Sequence, residues 1–231
     1  MKNITTISFP YLLCLCFSLL TFYNSPGQDW IEILKRAASD GATGDQFGHS
    51  VSISGNYAII GAPYEREDTS GSNTLIGAGS AYILYKDMGG TNNWGQVKKI
   101  VANDRAEDDY FGYSVSISGD YAIVGAWSKD GETGSSYIFY KDQGGINNWG
   151  QVKKIVPSDG DGDEFFGCSV SINGDYAIVG AESEDEEIPG EYTIDDIGSA
   201  YIFHKDQGGT DNWGQVKKIV LSDREDEDYF G

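Results

Sequence analysis

The sequence predicts an all-β fold made of β-propeller blades, four antiparallel strands to a blade. Three observations carry this expectation. One stretch of text is written three times, its apolar residues fall in short runs bounded by glycine turns, and no segment holds a helical period. Phe-Gly marks the rhythm at Phe47-Gly48, Phe111-Gly112, Phe166-Gly167 and Phe230-Gly231, at spacings of 64, 55 and 64 residues. Trp30, Trp94, Trp149 and Trp213 keep the same spacings. Units of this length with several short strands are propeller-sized.

The strands follow in order within each unit. SVSIS at Ser114–Ser118 alternates serine with Val115 and Ile117, a period of two with one apolar face. Gly119-Asp120, like Gly55-Asn56 and Gly174-Asp175, supplies the residue types that a tight hairpin needs for positive φ. YAIVGA at Tyr121–Ala126 is almost unbroken apolar text, as a strand covered on both faces requires. A third strand over 136–141 is rich in Tyr, Ile and Phe. A fourth over 149–156 carries a lysine pair, repeated as Lys98-Lys99, Lys153-Lys154 and Lys217-Lys218. On an outermost strand these charges are expected to discourage edge-to-edge pairing with other sheets. The small pair Gly125-Ala126 is expected to let neighbouring blades approach closely.

Residues 1–27 read as a signal peptide. Lys2 is the only charge before Asp29, and an apolar run through Leu20 falls short of the roughly 18 residues of a bilayer span. Ser25 and Gly27 suit cleavage before Gln28. A lipid anchor on Cys14 or Cys16 is the rival reading, disfavoured by the large leucines before both. The expected address is secreted or cell-surface, without stable membrane insertion after cleavage. Cys168 is then the one remaining cysteine, so no intrachain disulfide forms.

The repeated region, residues 28–231, divides at the tryptophans into units 30–93, 94–148 and 149–212 and an incomplete unit 213–231. Phe-Gly followed by Gly61-Ala62, Gly125-Ala126 or Gly180-Ala181 resembles the FG-GAP repeat of integrin α-subunit propellers, and more closely that of bacterial secreted FG-GAP proteins. Only Gly61-Ala62-Pro63 has the full motif; Trp127 and Glu182 replace the proline elsewhere. The resemblance implies a seven-bladed ring used in adhesion, of which this chain supplies about three to three and a half blades. It also implies calcium in an Asp-rich loop between the first two strands. Here that turn holds one carboxylate at most, whereas calcium takes about six to eight oxygens, so those sites do not transfer. An orphan outer strand over 30–34 and a stop at Gly231, inside the opening motif of a further unit, lead to one expectation. The chain is the front of a longer propeller, or its open blade faces associate with the missing blades or another copy.

Across 231 residues the net charge is −20 and the pI near 4.2, the wrong sign for gripping nucleic acid or anionic lipid. Most of the 36 acidic residues fall in two loop sets that share one rim, the connectors between blades and the loops between second and third strands. Loop length varies there too, which is where binding is usually carried. Asp159, Asp161, Asp163 and Glu164 are the candidate metal ligands, with Ca²⁺ the cofactor they suit, although the Gly and terminal Glu of an EF-hand loop are missing. Asp40, Asp104, Asp159 and Asp223 recur seven residues before each Phe, where an Asx-turn explains them as well as a ligand role does. His49, His204 and Cys168 fill slots that hold tyrosine in sister units, and no nucleophile–base pair, phosphate loop or His/Cys cluster stands out. The chain is therefore read as a non-catalytic scaffold for a protein or carbohydrate ligand. A propeller portion of a secreted enzyme and a structural module of a larger exported protein are the alternatives.

Overall fold

The structure, a computed structural model, describes residues 32, 34–160, 162–187, 193–194, 196–223, 225 and 227–231. The expected signal peptide, residues 1–27, and most of the expected strand over 30–34 lie outside that set; Glu32 and Leu34, which are described, carry no strand. Among the described residues no helix is long and apolar enough to cross a membrane.

Three four-stranded antiparallel sheets form three blades. Blade 1 holds β1 (Val51–Ser54), β2 (Tyr57–Ala62), β3 (Ser80–Tyr85) and β4 (Gly95–Ile100), hydrogen-bonded in that order. Blade 2 repeats it with β5 (Ser114–Ser118), β6 (Tyr121–Ala126), β7 (Ser135–Tyr140) and β8 (Gly150–Ile155). Blade 3 uses β9 (Val170–Asn173), β10 (Tyr176–Ala181), β13 (Ser199–His204) and β14 (Gly214–Ile219). Its second-to-third loop carries an unexpected two-residue hairpin, β11 (Glu186–Glu187) with β12 (Thr193–Ile194). Only the glycine of each inner hairpin takes positive φ: Gly55, Gly119 and Gly174, at 56–57°.

Blades stack through their flat faces. Ile59, Ile83 and Ile100 of blade 1 pack against Val115, Ile117, Val124 and Phe139 of blade 2. Ile123, Ile138 and Ile155 meet Ile172, Val179 and Phe203 of blade 3 in the same way. Each such side chain contributes roughly 1.5–3 kcal/mol on burial. Phe111 and Phe166 are wedged between successive sheets, fully buried, each in a parallel bridge to the preceding blade (Gly79↔Phe111, Gly134↔Phe166). Gly125 is obligatory for this approach, since a Cβ there would lie 2.0 Å from the Gly167 carbonyl oxygen and 2.3 Å from Ser114 Oγ.

The alternating serines have a role that periodicity did not disclose. An inner strand pairs on one side only, leaving outward N–H groups that need acceptors. Ser52 and Ser54 Oγ accept from the N–H groups of Ile117 and Gly119, and Ser116 and Ser118 Oγ from those of Ile172 and Gly174, all at 3.1–3.2 Å. The serine face of one blade thus satisfies the backbone of the next.

The lysine pairs do lie on outermost strands, but guarding that edge is not their main engagement. A bulge where β3 meets β4, repeated in all three sheets, precedes the pair, and the two lysines then point to opposite faces. Lys98 and Lys153 Nζ donate to Asn148 and Asn212 of the next blade, at 3.0 and 2.9 Å. Lys99 turns the other way, is 6% exposed, and pairs with carboxylates of the rim.

Candidate functional site

Backbone bonds fasten the connector of each unit to the second-to-third loop of the unit before, which places the two loop sets on one rim. Asp108 and Tyr110 donate to Ile76 and Gly77, Phe165 to Glu132, and Tyr229 to Asp196, all at 2.8–3.0 Å. Within the connector a carboxylate folds the chain on itself: Asp109 accepts from the Ala106 N–H at 2.6 Å, and Asp228 from that of Glu225 at 2.8 Å. Asp45 accepts from Ala42 likewise.

Asp40, Asp104 and Asp159 are not the turn-forming residues that their spacing suggested; each anchors the outer-strand lysine. Lys99, Lys154 and Lys218 Nζ reach them at 2.8, 2.9 and 2.8 Å. A second acid completes each cluster. Buried Glu65 sits 2.7 Å from Lys99 and accepts from Ser80 Oγ, and buried Glu184 binds Lys218 and Ser199 Oγ. Blade 2 inverts the charge, with Lys129 in the place of those glutamates. It is 5% exposed and donates to the Asp104 carbonyl and to Asp109, while Asp130 takes over as second partner of Lys154 at 2.6 Å. Ser135 Oγ, deprived of the glutamate that its sister serines use, finds no partner among the described residues.

These clusters set a pH response. Burial pushes Asp40, Asp104 and Asp159 up, but the hydrogen bonds and charge of their lysines outweigh it and leave all three below the ordinary 3.8. Burial pushes Lys154 and Lys218 down, and their carboxylate partners more than restore them, above 10.5. A depressed acid stabilises the fold above its unfolded value and loses that as pH falls through the folded one; a raised lysine is lost as pH rises through its folded value. Thermal melts are therefore expected to plateau between about pH 5 and 9 and to fall on both sides. Asp109, raised by burial against the pull of the Ala106 N–H and Lys129, works the other way and blunts the acid loss in blade 2. A melting temperature that climbs steadily below pH 4 contradicts this.

The four candidate metal ligands are placed differently from one another. Asp159 is paired with Lys218, Asp163 is exposed with φ of 52°, Glu164 is buried, and Asp161 lies outside the described residues. Among the described residues no group of three or more His, Cys, Asp or Glu side chains is disposed to hold a metal ion.

What converges on the rim instead is aromatic. Tyr64 meets Tyr110 edge-on at 5.2 Å, Tyr110 stacks on Trp127 at 5.4 Å with planes 10° apart, and Trp127 meets Phe165 at 4.8 Å. Tyr113 joins from beside, bridging Trp127 and His49. The row runs from the loop of blade 1 to the connector of blade 3. It borders a cavity of about 170 Å³ lined by Tyr113, Trp127, Phe165, Cys168 and Glu182. Burial, with the nearby Glu182 charge, holds the Cys168 thiol protonated by pushing its pKa up. His204 meets Tyr176 at 4.8 Å with the rings tilted 58°, away from the row. Sequence reading missed the row because it weighed what repeats. The signal was in what does not: Trp127 where blade 1 has Pro63, and Tyr64 where the others have serine.

The family model described as FG-GAP repeat matches residues 30–85, 94–139 and 149–203. No curated protein matches the chain.

Proposed function

The chain belongs to the FG-GAP repeat family, and from that premise we propose that it is an exported, non-catalytic ligand-binding scaffold whose contact surface is the aromatic row Tyr64–Tyr110–Trp127–Phe165. One observation carries the reading: the row crosses all three blades on the rim where acidic residues and loop variation are concentrated. Ring faces attract cations, and Asp108, Glu132 and Glu182 lie in the same loops, so the ligand chemistry that fits is a Lys/Arg-rich segment of a protein. Export rests on the leader-like residues 1–27.

Calorimetric titration with a lysine-rich decapeptide tests it. A cation over an aromatic face contributes about 0.5–2 kcal/mol, so Trp127→Ala is expected to weaken binding about 2- to 30-fold while leaving net charge unchanged. Equal affinity of the two chains reduces the binding to bulk charge and overturns the site. Tighter binding of a neutral oligosaccharide overturns the ligand class.

A further inference from the structure

We propose that the outward faces of blades 1 and 3 are the two halves of one interface, so that a second copy of the chain seats head to tail on the first. This rests on the blade stacking alone and is independent of the ligand reading at the rim.

The interface is already drawn twice inside the molecule. Val115 and Ile117 are 8% and 4% exposed because blade 1 covers them; their counterparts Val51 and Ile53 are 67% and 65% exposed. On the other side Ile123 is fully buried beneath blade 3, whereas its counterpart Ile178 is 39% exposed and Tyr176 beside it 57%. The open face of blade 3 contains a groove of about 470 Å³ lined by Val170, Ser171, Ile178, Gly180, Ala200 and Phe230. Ile123 and Phe166, the counterparts of Ile178 and Phe230, pack with Ile172 of β9 and Val179 of β10 at the internal interface.

The polar contacts have matching halves as well. Ser116 accepts from Ile172 N–H, so Ser171 is offered to the Ile53 N–H of the incoming copy. Tyr57 and Tyr121 hydroxyls donate to Asn147 and Asp211 of the next blade, and their rings meet Trp149 and Trp213 at 5.4 and 5.5 Å. Tyr176 repeats that donor, and Asn92 and Trp94 of a second copy repeat the receiving pair. Arg36 already holds Asn93, so the lysine contact that Lys98 makes to Asn148 is not part of the new interface. Phe230-Gly231 lies on blade 3 as Phe111-Gly112 lies on blade 1, with Phe230 N–H donating to Ile197 at 3.0 Å. Phe47 packs on Tyr82 of its own blade, so the incoming copy docks through its β1 face. Two copies bring six sheets, within the roughly four to eight that close a propeller.

Analytical ultracentrifugation of the purified chain, with Ile53→Glu and Ile178→Glu variants, tests the proposal. Both positions are exposed in the single chain, so both variants are expected to fold, with cooperative melting curves that do not shift with protein concentration, whereas that of the wild type does. Wild type is expected to sediment with at least twice the monomer mass at micromolar concentration, and each variant alone as a monomer. Mixing the two variants restores one intact interface and is expected to give a dimer. A wild type that stays monomeric at 100 µM overturns the proposal. So does a variant that still dimerises alone, since that requires like faces to pair, or association only with a longer chain that supplies a fourth repeat.

Discussion

Replacing Gly125 with alanine is expected to cost about 3 kcal/mol, the upper range for overpacking in a rigid interior and a large share of the roughly 5–15 kcal/mol that holds a folded chain together. The added methyl meets backbone on one side, the Gly167 carbonyl, and on the other the Ser114 hydroxyl that itself donates to that carbonyl at 2.7 Å. Neither yields without parting blades 2 and 3 along the line where Phe166 is wedged. Gly119→Ala is the control: its Cβ meets nothing within 4 Å, and the change carries only the strain of a φ near 57°, about 1 kcal/mol. Urea unfolding of both variants separates a steric lock from loss of a flexible residue. Equal midpoints refute the lock.

Lys99→Met is expected to cost about 3–5 kcal/mol, because it leaves the buried Glu65 carboxylate with neutral donors alone, the Ser80 hydroxyl and the Glu67 N–H, and leaves Asp40 without its cation. Much of that penalty belongs to the abandoned charge rather than to the pair. Lys99→Met combined with Glu65→Gln is therefore expected to cost clearly less than the two single changes added together. Additive losses refute the cluster as a unit. The charge inversion at Lys129 is a natural version of the same experiment. Blade 2 keeps its outer-strand lysine satisfied by recruiting Asp130, and the remaining trace is a buried Ser135 hydroxyl without an acceptor among the described residues.

The strands were legible because their causes are local. Ser114–Ser118 and Tyr121–Ala126 run as their apolar patterns indicate. The third and fourth strands differ from the reading only at their ends, Ser135–Tyr140 against 136–141 and Gly150–Ile155 against 149–156. What the pattern did not disclose depends on partners distant in sequence. The serines of the inner strand read only as the alternates of an apolar face, yet they are acceptors for a blade more than fifty residues away. The recurrent Asp read as a turn former because its lysine lies 50 to 59 residues downstream. Nothing local marks Lys129 as buried, since the acids around it in the sequence are those of an exposed loop. The aromatic row escaped for a related reason. Tyr64, Trp127 and Phe165 come from different units, and only the stacking of blades brings them into one line.

Residue-resolved hydrogen exchange on the Ile178→Glu chain, in which neither outer face is covered, tests the stacking most directly. Ile117 and Ile172 N–H groups bonded to serines of the preceding blade are expected to exchange at least a hundredfold more slowly than the equivalent Ile53 N–H, which meets no serine acceptor among the described residues. Ser52→Ala is expected to speed Ile117 and leave Ile172 unchanged. Equal exchange at Ile53, Ile117 and Ile172 would mean that the three sheets do not lean on one another, and the stacking described here would be wrong.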